Sequence, residues 1–186
     1  MGVKLGEQTI DAAHRSPARA EATTMAGALG DVRLLLLGIW LGAALFFSFA
    51  VAPSAFAVLP ARELAGAIVT RTIAIANIGG FIVGLLLLLT AFARRGAGAS
   101  AKRAWTLEVI ALALVTLATA AGHWIVGARM QSLRLAMGRP VDEVAPTDAL
   151  RVAFNALHGY SVAAMTTAMV AGLVAFFLIA RRNRNL

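Results

Sequence analysis

The chain has 186 residues, 60% of them hydrophobic and 14% charged, with a mean hydropathy of +0.79. Soluble globular domains are closer to half apolar, so this composition excludes an ordinary water-soluble fold. Cysteine is absent, which excludes disulfides, thiolate metal sites and cysteine nucleophiles.

The net charge is +8 and the sequence pI about 11.6. The basic residues sit at the ends of apolar runs rather than on one stripe. That placement suits anionic lipid headgroups, and no nucleic-acid partner is expected.

Residues 1–32 read as a polar N-terminal arm. Lys4, Glu7, Asp11, Arg15, Arg19, Glu21 and Asp31 spread charge of both signs along it. It has no compact apolar stretch of the kind a signal peptide needs, and its composition favours disorder. His14 lies in this arm and is assigned no role.

Residues 33–186 read as one membrane domain. Its four apolar runs are 34–52, 73–93, 107–128 and 162–180, the last on a helix expected from about 159. Each is roughly the 20 residues a helix needs to cross ~30 Å of hydrocarbon. The fold class is therefore an all-α integral membrane protein: four transmembrane helices in an antiparallel up-down bundle.

Lys and Arg divide eleven to six between the two sides of such a bundle. The richer side holds the N-terminal arm, the Arg94, Arg95, Lys102 and Arg103 cluster, and Arg181, Arg182 and Arg184. The positive-inside rule places both termini in the cytoplasm, in the inner membrane of a cell.

The first run contains Gly38 and Gly42, and the second Gly80 and Gly84. Each pair is a GxxxG pattern that admits another helix backbone, so these four are read as helix-packing residues. Pro53 and Pro60 bracket residues 54–59 and are expected to bend or end the first helix. Phe46, Phe47, Phe49 and Phe56 give that region a large apolar surface. Arg71 follows an apolar stretch, 64–70, and is expected to snorkel to the headgroups. The 96–100 loop is short and rich in glycine and alanine, which makes the second and third spans a tight pair. The following outer loop carries a surface helix over 129–137, with Gly138, Pro140 and Pro146 as breakers. Glu108, at the start of the third span, favours that helix N-terminus.

His123 lies six residues before Arg129, and His158 seven residues after Arg151. Counted from those arginines, both imidazoles fall about 9–11 Å inside the outer helix ends, at similar depth. On the fourth helix, Asn155, Ser161, Met165 and Met169 share the His158 face. On the third, Thr116 and Thr119 share the His123 face. Two histidines at matched depth could ligate a haem iron from both sides or hold chlorophyll-type magnesium separately. The alternative is structural hydrogen bonding to a neighbouring helix. No metal site is indicated, and the cofactor is otherwise unknown.

No paired acids, nucleophile elbow or phosphate loop is present, so the chain is not expected to be an enzyme. The leading expectation is a non-catalytic accessory or structural subunit of a larger membrane complex, with other membrane subunits and lipid as partners. A respiratory or photosynthetic electron-transfer assembly is a plausible host. A small haem- or chlorophyll-binding protein and a channel or transporter component are the alternatives.

Gly38-Ile39-Trp40-Leu41-Gly42, followed by Phe46, Phe49, Pro53, Phe56 and Leu59-Pro60, resembles the opening of a widespread four-span family of unknown biochemical function. That family includes a eukaryotic transmembrane protein linked to platinum-drug tolerance. Phe154-Asn155-Ala156-Leu157-His158-Gly159-Tyr160-Ser161 is similar to its fourth-span entry. The resemblance covers residues 34–180 and implies four helices. Through that one member it suggests metal or drug tolerance as the context for a transport role.

Overall fold

The computed structural model describes residues 17–93 and 99–184. The first sixteen residues of the arm, with His14, and loop residues 94–98, with Arg94 and Arg95, lie outside the described residues.

Helix α1, Pro17–Phe46, runs through a π-helical turn, Phe47–Val51, into α2, Ala52–Val58. Pro53 does not stop this helix. It follows closely on the π-helical turn, with Val51 and Ala52 both helical, so the chain stays helical across it at the cost of one backbone hydrogen bond. The stop comes at Leu59, which is extended (φ −76°, ψ 137°), as the residue before a proline prefers. Helix α3 spans Arg62–Ala93. Helix α4, Ala99–Ala120, passes through a second π-helical segment, Ala121–Gly127, into α5, Ala128–Met137. Gly138 closes α5 in the left-handed conformation at φ 61°, a position that suits glycine alone at little cost. Helix α6, Ala149–Asn183, starts on Asp148, whose carboxylate accepts the Leu150 N–H at 2.8 Å, a standard N-cap.

Four segments are long and apolar enough to cross a membrane: Gly27–Val58, Arg62–Phe92, Lys102–Met137 and Ala149–Asn183. The chain is a multi-pass, all-α membrane bundle, with no strand among the described residues. Consecutive spans are antiparallel neighbours, and the first and fourth also pack together, which closes the ring. The α1 start, the α6 end and the α3–α4 turn share one end of the bundle, the terminal end. The opposite, loop end carries α2, α5 and the first turns of α3 and α6. The spans are 32, 31, 36 and 35 residues long, or roughly 46–54 Å, well beyond the ~30 Å of a hydrocarbon core. The excess is the continuation of each helix past its apolar run. The surface helix expected over 129–137 is such a continuation, joined to the third span without a break.

Packing is centred on Trp40. Its ring lies over Gly80 and Gly172, and its indole N–H donates to the Ala76 carbonyl at 2.9 Å. A Cβ on Gly80 would stand 2.7 Å from both Trp40 and the Thr119 methyl, and one on Gly84 would stand 2.6 Å from Thr116 Oγ1. The GxxxG pair of the second span is therefore consumed inside the bundle. Thr116 and Thr119 return their own hydroxyls to the α4 backbone, at 2.8 Å to Leu112 and 2.7 Å to Val115, which leaves their methyls for packing.

Gly80→Leu should lower stability by about 1–3 kcal/mol through overpacking. A Cβ on Gly42 would meet nothing within 4 Å, so that position should accept leucine with little change. Thermal unfolding of the two variants in one detergent compares them directly.

Candidate functional site

Three charged side chains meet at the terminal end. Arg33 Nη2 donates to Glu108 Oε1 at 2.6 Å and to the Leu87 carbonyl at 3.1 Å. Arg182 Nη1 donates to the other carboxylate oxygen at 3.4 Å. Arg33 and Glu108 are almost wholly buried, with side chains 1% and 2% exposed, while Arg182 remains partly accessible. One turn away, Asn183 packs on Gly30 and donates to Asp31 at 3.5 Å. A charge buried inside a membrane bundle is costly unless paired, so this cluster pins the first, third and fourth spans to one level. The sequence places Arg33 just before one apolar run and Glu108 just inside another at the same end. That coincidence is the available signal; it reads as flanking charge and helix-terminus chemistry because rotation about each axis is invisible in sequence.

The loop end has its own anchor. Arg134 donates to Thr70 Oγ1 at 2.9 Å and lies over the Phe154 ring, 5.1 Å from its centroid. Met137, Val144 and Phe154 form a small separate core there. Arg151 caps it by donating to the Val144 carbonyl.

Between the two anchors the bundle is open. None of residues 48–58, 66–76, 123–136 or 155–164 is buried. All four spans thus run about 15–21 Å without a core position. Both π-helical segments lie at this layer. Beside it, an open groove of about 460 Å³ is lined by Phe46, Val51, Ala55, Leu59 and Ile68 among others. On the fourth span the main core ends at Met165 and Met169.

The anchors also fix the depths of the candidate ligands. Arg134 lies 26 residues beyond Glu108, and Phe154 28 residues before Arg182, so both stand about 39–42 Å from the charged cluster. His123 is 15 residues beyond Glu108, and His158 is 24 before Arg182, about 22 and 36 Å from it. The expectation of matched depth is corrected: the two histidines differ in level by about 10–14 Å. Arg129 and Arg151 mislead because neither marks a helix end; the third helix continues to Met137 and the fourth begins at Ala149. His123 is half-buried, with its ring edge-on to Trp124 at 4.9 Å, and His158 is exposed. The structure does not bring them together around one iron. Among the described residues no cluster of three or more His, Cys, Asp or Glu forms a metal site.

Arg71 is exposed on α3, at about 30 Å from the charged cluster when α3 is aligned through the Gly80–Thr119 contact. That distance is one hydrocarbon thickness. Of the first-span glycines, a Cβ on Gly38 would meet Phe176 at 3.5 Å, and one on Gly42 would meet nothing within 4 Å.

A family model described as Domain of unknown function (DUF4149) matches residues 35–139. The chain belongs to that family. The DUF4149 match takes in Trp40, all four GxxxG glycines, Glu108, both π-helical segments and Arg134. It begins two residues after Arg33 and ends before the fourth span, so the 154–161 stretch lies outside it. No curated protein and no solved structure matches the chain.

Removing one member of the charged cluster leaves the other unpaired. Arg33→Met or Glu108→Leu alone should cost about 3–5 kcal/mol, and the double variant should recover much of that loss. A double-mutant cycle on unfolding midpoints measures the coupling.

Proposed function

We propose that this chain is a non-catalytic subunit of a larger membrane complex, resident in the cytoplasmic membrane with both termini inside. The observation that supports this reading is the unequal use of the two GxxxG pairs. Gly80 and Gly84 are filled by Trp40, Thr116 and Thr119. Gly42 lies open on a face shared with Leu35, Ile39, Phe46 and Phe49, each more than 60% exposed and each within about 60° of Gly42 on the helix wheel. In lipid, apolar area alone drives no association, whereas a small residue between large ones lets a second backbone approach closely. A partner helix from another subunit, for example of an electron-transfer assembly, fits that face.

The complex should survive extraction in a mild detergent, with this chain recovered in fixed ratio to its partner. Gly42→Leu should release the chain without lowering its own unfolding midpoint. Recovery of the native chain as a stable monomer in the mildest detergents would count against the reading.

Orientation is testable without background because the chain has no cysteine. Glu143→Cys should react with a membrane-impermeant maleimide in intact cells, and Arg184→Cys only after permeabilisation. The reverse pattern would invert the topology.

A further inference from the structure

The open layer between the two cores has a polar floor that the bundle itself does not use. Ser48 lies 15 residues beyond Arg33, and His123 15 beyond Glu108, so both stand about 22 Å from the charged cluster. Asn77 joins them at that level, because its amide packs against Gly122, within 3.1–3.4 Å of where a Cβ would be. Three spans thus place a hydroxyl, an amide and an imidazole at one depth.

Each of these groups is under-used. Asn77 is 4% exposed, and among the described residues its side chain makes no hydrogen bond. Ser48 donates to the Met169 sulfur at 4.0 Å, and a thioether is a weak acceptor. His123 has its ring contact with Trp124 and no hydrogen bond among the described residues. The fully buried, unpartnered side-chain atoms among the described residues are Arg33 Nε and Nη1 and Asn183 Oδ1. The Asn77 amide atoms keep some access, and a group that reached and bonded them would be favoured in a membrane interior.

The three polar groups themselves carry no fixed charge, and the nearest arginines along the spans, Arg71 and Arg129, stand about 8–9 Å farther toward the loop end, so the site suits an uncharged polar end. Its surroundings are apolar: the main core ends at Met165 and Met169, with Ile73 packed against it, and the neighbouring groove is lined by Phe46, Val51, Ala55 and Leu59. The first and third spans each carry a π-helical turn at this layer, a feature that recurs at binding sites. Arg134, bonded across to Thr70 and stacked on Phe154, spans the top.

We propose that this layer binds an uncharged, lipid-soluble molecule whose polar end carries carbonyl or hydroxyl oxygens. Asn77, His123 and Ser48 would hydrogen-bond that end while its apolar body lies between the parted helices. A quinone ring and a diacylglycerol ester share this chemistry. The proposal does not rest on the subunit reading above, since it concerns the interior rather than the Gly42 face.

The test uses the full chain in phosphatidylcholine nanodiscs and reads Trp124, which adjoins His123, with Trp124→Phe to assign the signal. Two probes are titrated: a one-isoprene benzoquinone, as a quencher, and a pyrene-labelled diacylglycerol, as an energy acceptor. Saturable binding of either, weakened about tenfold or more in Asn77→Leu, is the expected result. The probe that saturates identifies the source of the oxygens. Leucine matches asparagine in shape and suits a membrane interior, so the melting temperature should hold; should Asn77→Leu fail to fold, His123→Phe gives the same reading. Signals that rise linearly with both probes and are equal in the native and variant chains would show simple partitioning and overturn the proposal. Loss of the Gly42 partner, by contrast, would leave these titrations unchanged.

Discussion

The buried Arg33–Glu108 contact sets the geometry of everything above it. Two charges at 2.6 Å, each almost wholly excluded from solvent, tolerate little axial sliding, because a shift of one helical turn would leave both uncompensated in a low-dielectric bundle. Apolar helices in lipid otherwise slide and rotate at small cost, since tails solvate leucine as well as another helix does. Arg182 adds the fourth span to the same carboxylate, and the Leu87 carbonyl adds the second. All four spans are thereby registered at one end, and depths along them become comparable.

Trp40 converts that register into rotation. A large ring can lie in the bundle centre only where its neighbours lack side chains, and Gly80 and Gly172 supply that space from two different spans. The indole N–H then needs an acceptor in hydrocarbon, and it takes the Ala76 carbonyl on the span that also carries Gly80. Packing and hydrogen bonding therefore select one orientation of the first helix. The face opposite, with Gly42 between Ile39 and Phe46, is left outward as a consequence of how the ring is seated.

Much of this fold is legible in the sequence, and the parts that are not share one cause. Hydropathy shows four spans because each apolar run is long enough to cross a bilayer. Gly138 marks a helix end because its backbone requirement is local. Helix length is less visible: Arg62–Thr70 and Arg129–Met137 look like loop-side segments on hydropathy alone, yet a polar helix can continue an apolar one wherever its neighbours continue too. The two π-helical turns leave no signal that composition detects. Relations between spans are the least visible, since the Arg33–Glu108 pair, the Trp40 seat and the Asn77–Gly122 contact all depend on rotation about helix axes. The histidines illustrate the consequence. Their spacing from the nearest arginines suggests one level, whereas register measured from the ion pair separates them by about 10–14 Å.

The same register explains why the middle of the loop-side half can stay open. The main core, from Leu37 to Met169, lies between the charged cluster and the level of Ser48, and it holds the helices together without help from residues farther along. Arg134 and the Met137–Val144–Phe154 cluster tie the far ends independently. A bundle fixed at both ends can part between them, as two pinned rods can bow, provided the backbone accommodates the bend. The π-helical turns do so in the first and third spans, where each inserts extra length on one side of the helix. Polar groups gathered at one depth beside that opening, the buried Asn77 with the half-buried Ser48 and His123, are what distinguishes a built space from loose packing. Asn77 makes no hydrogen bond that holds the bundle together among the described residues, and the proposed ligand would give its amide a partner.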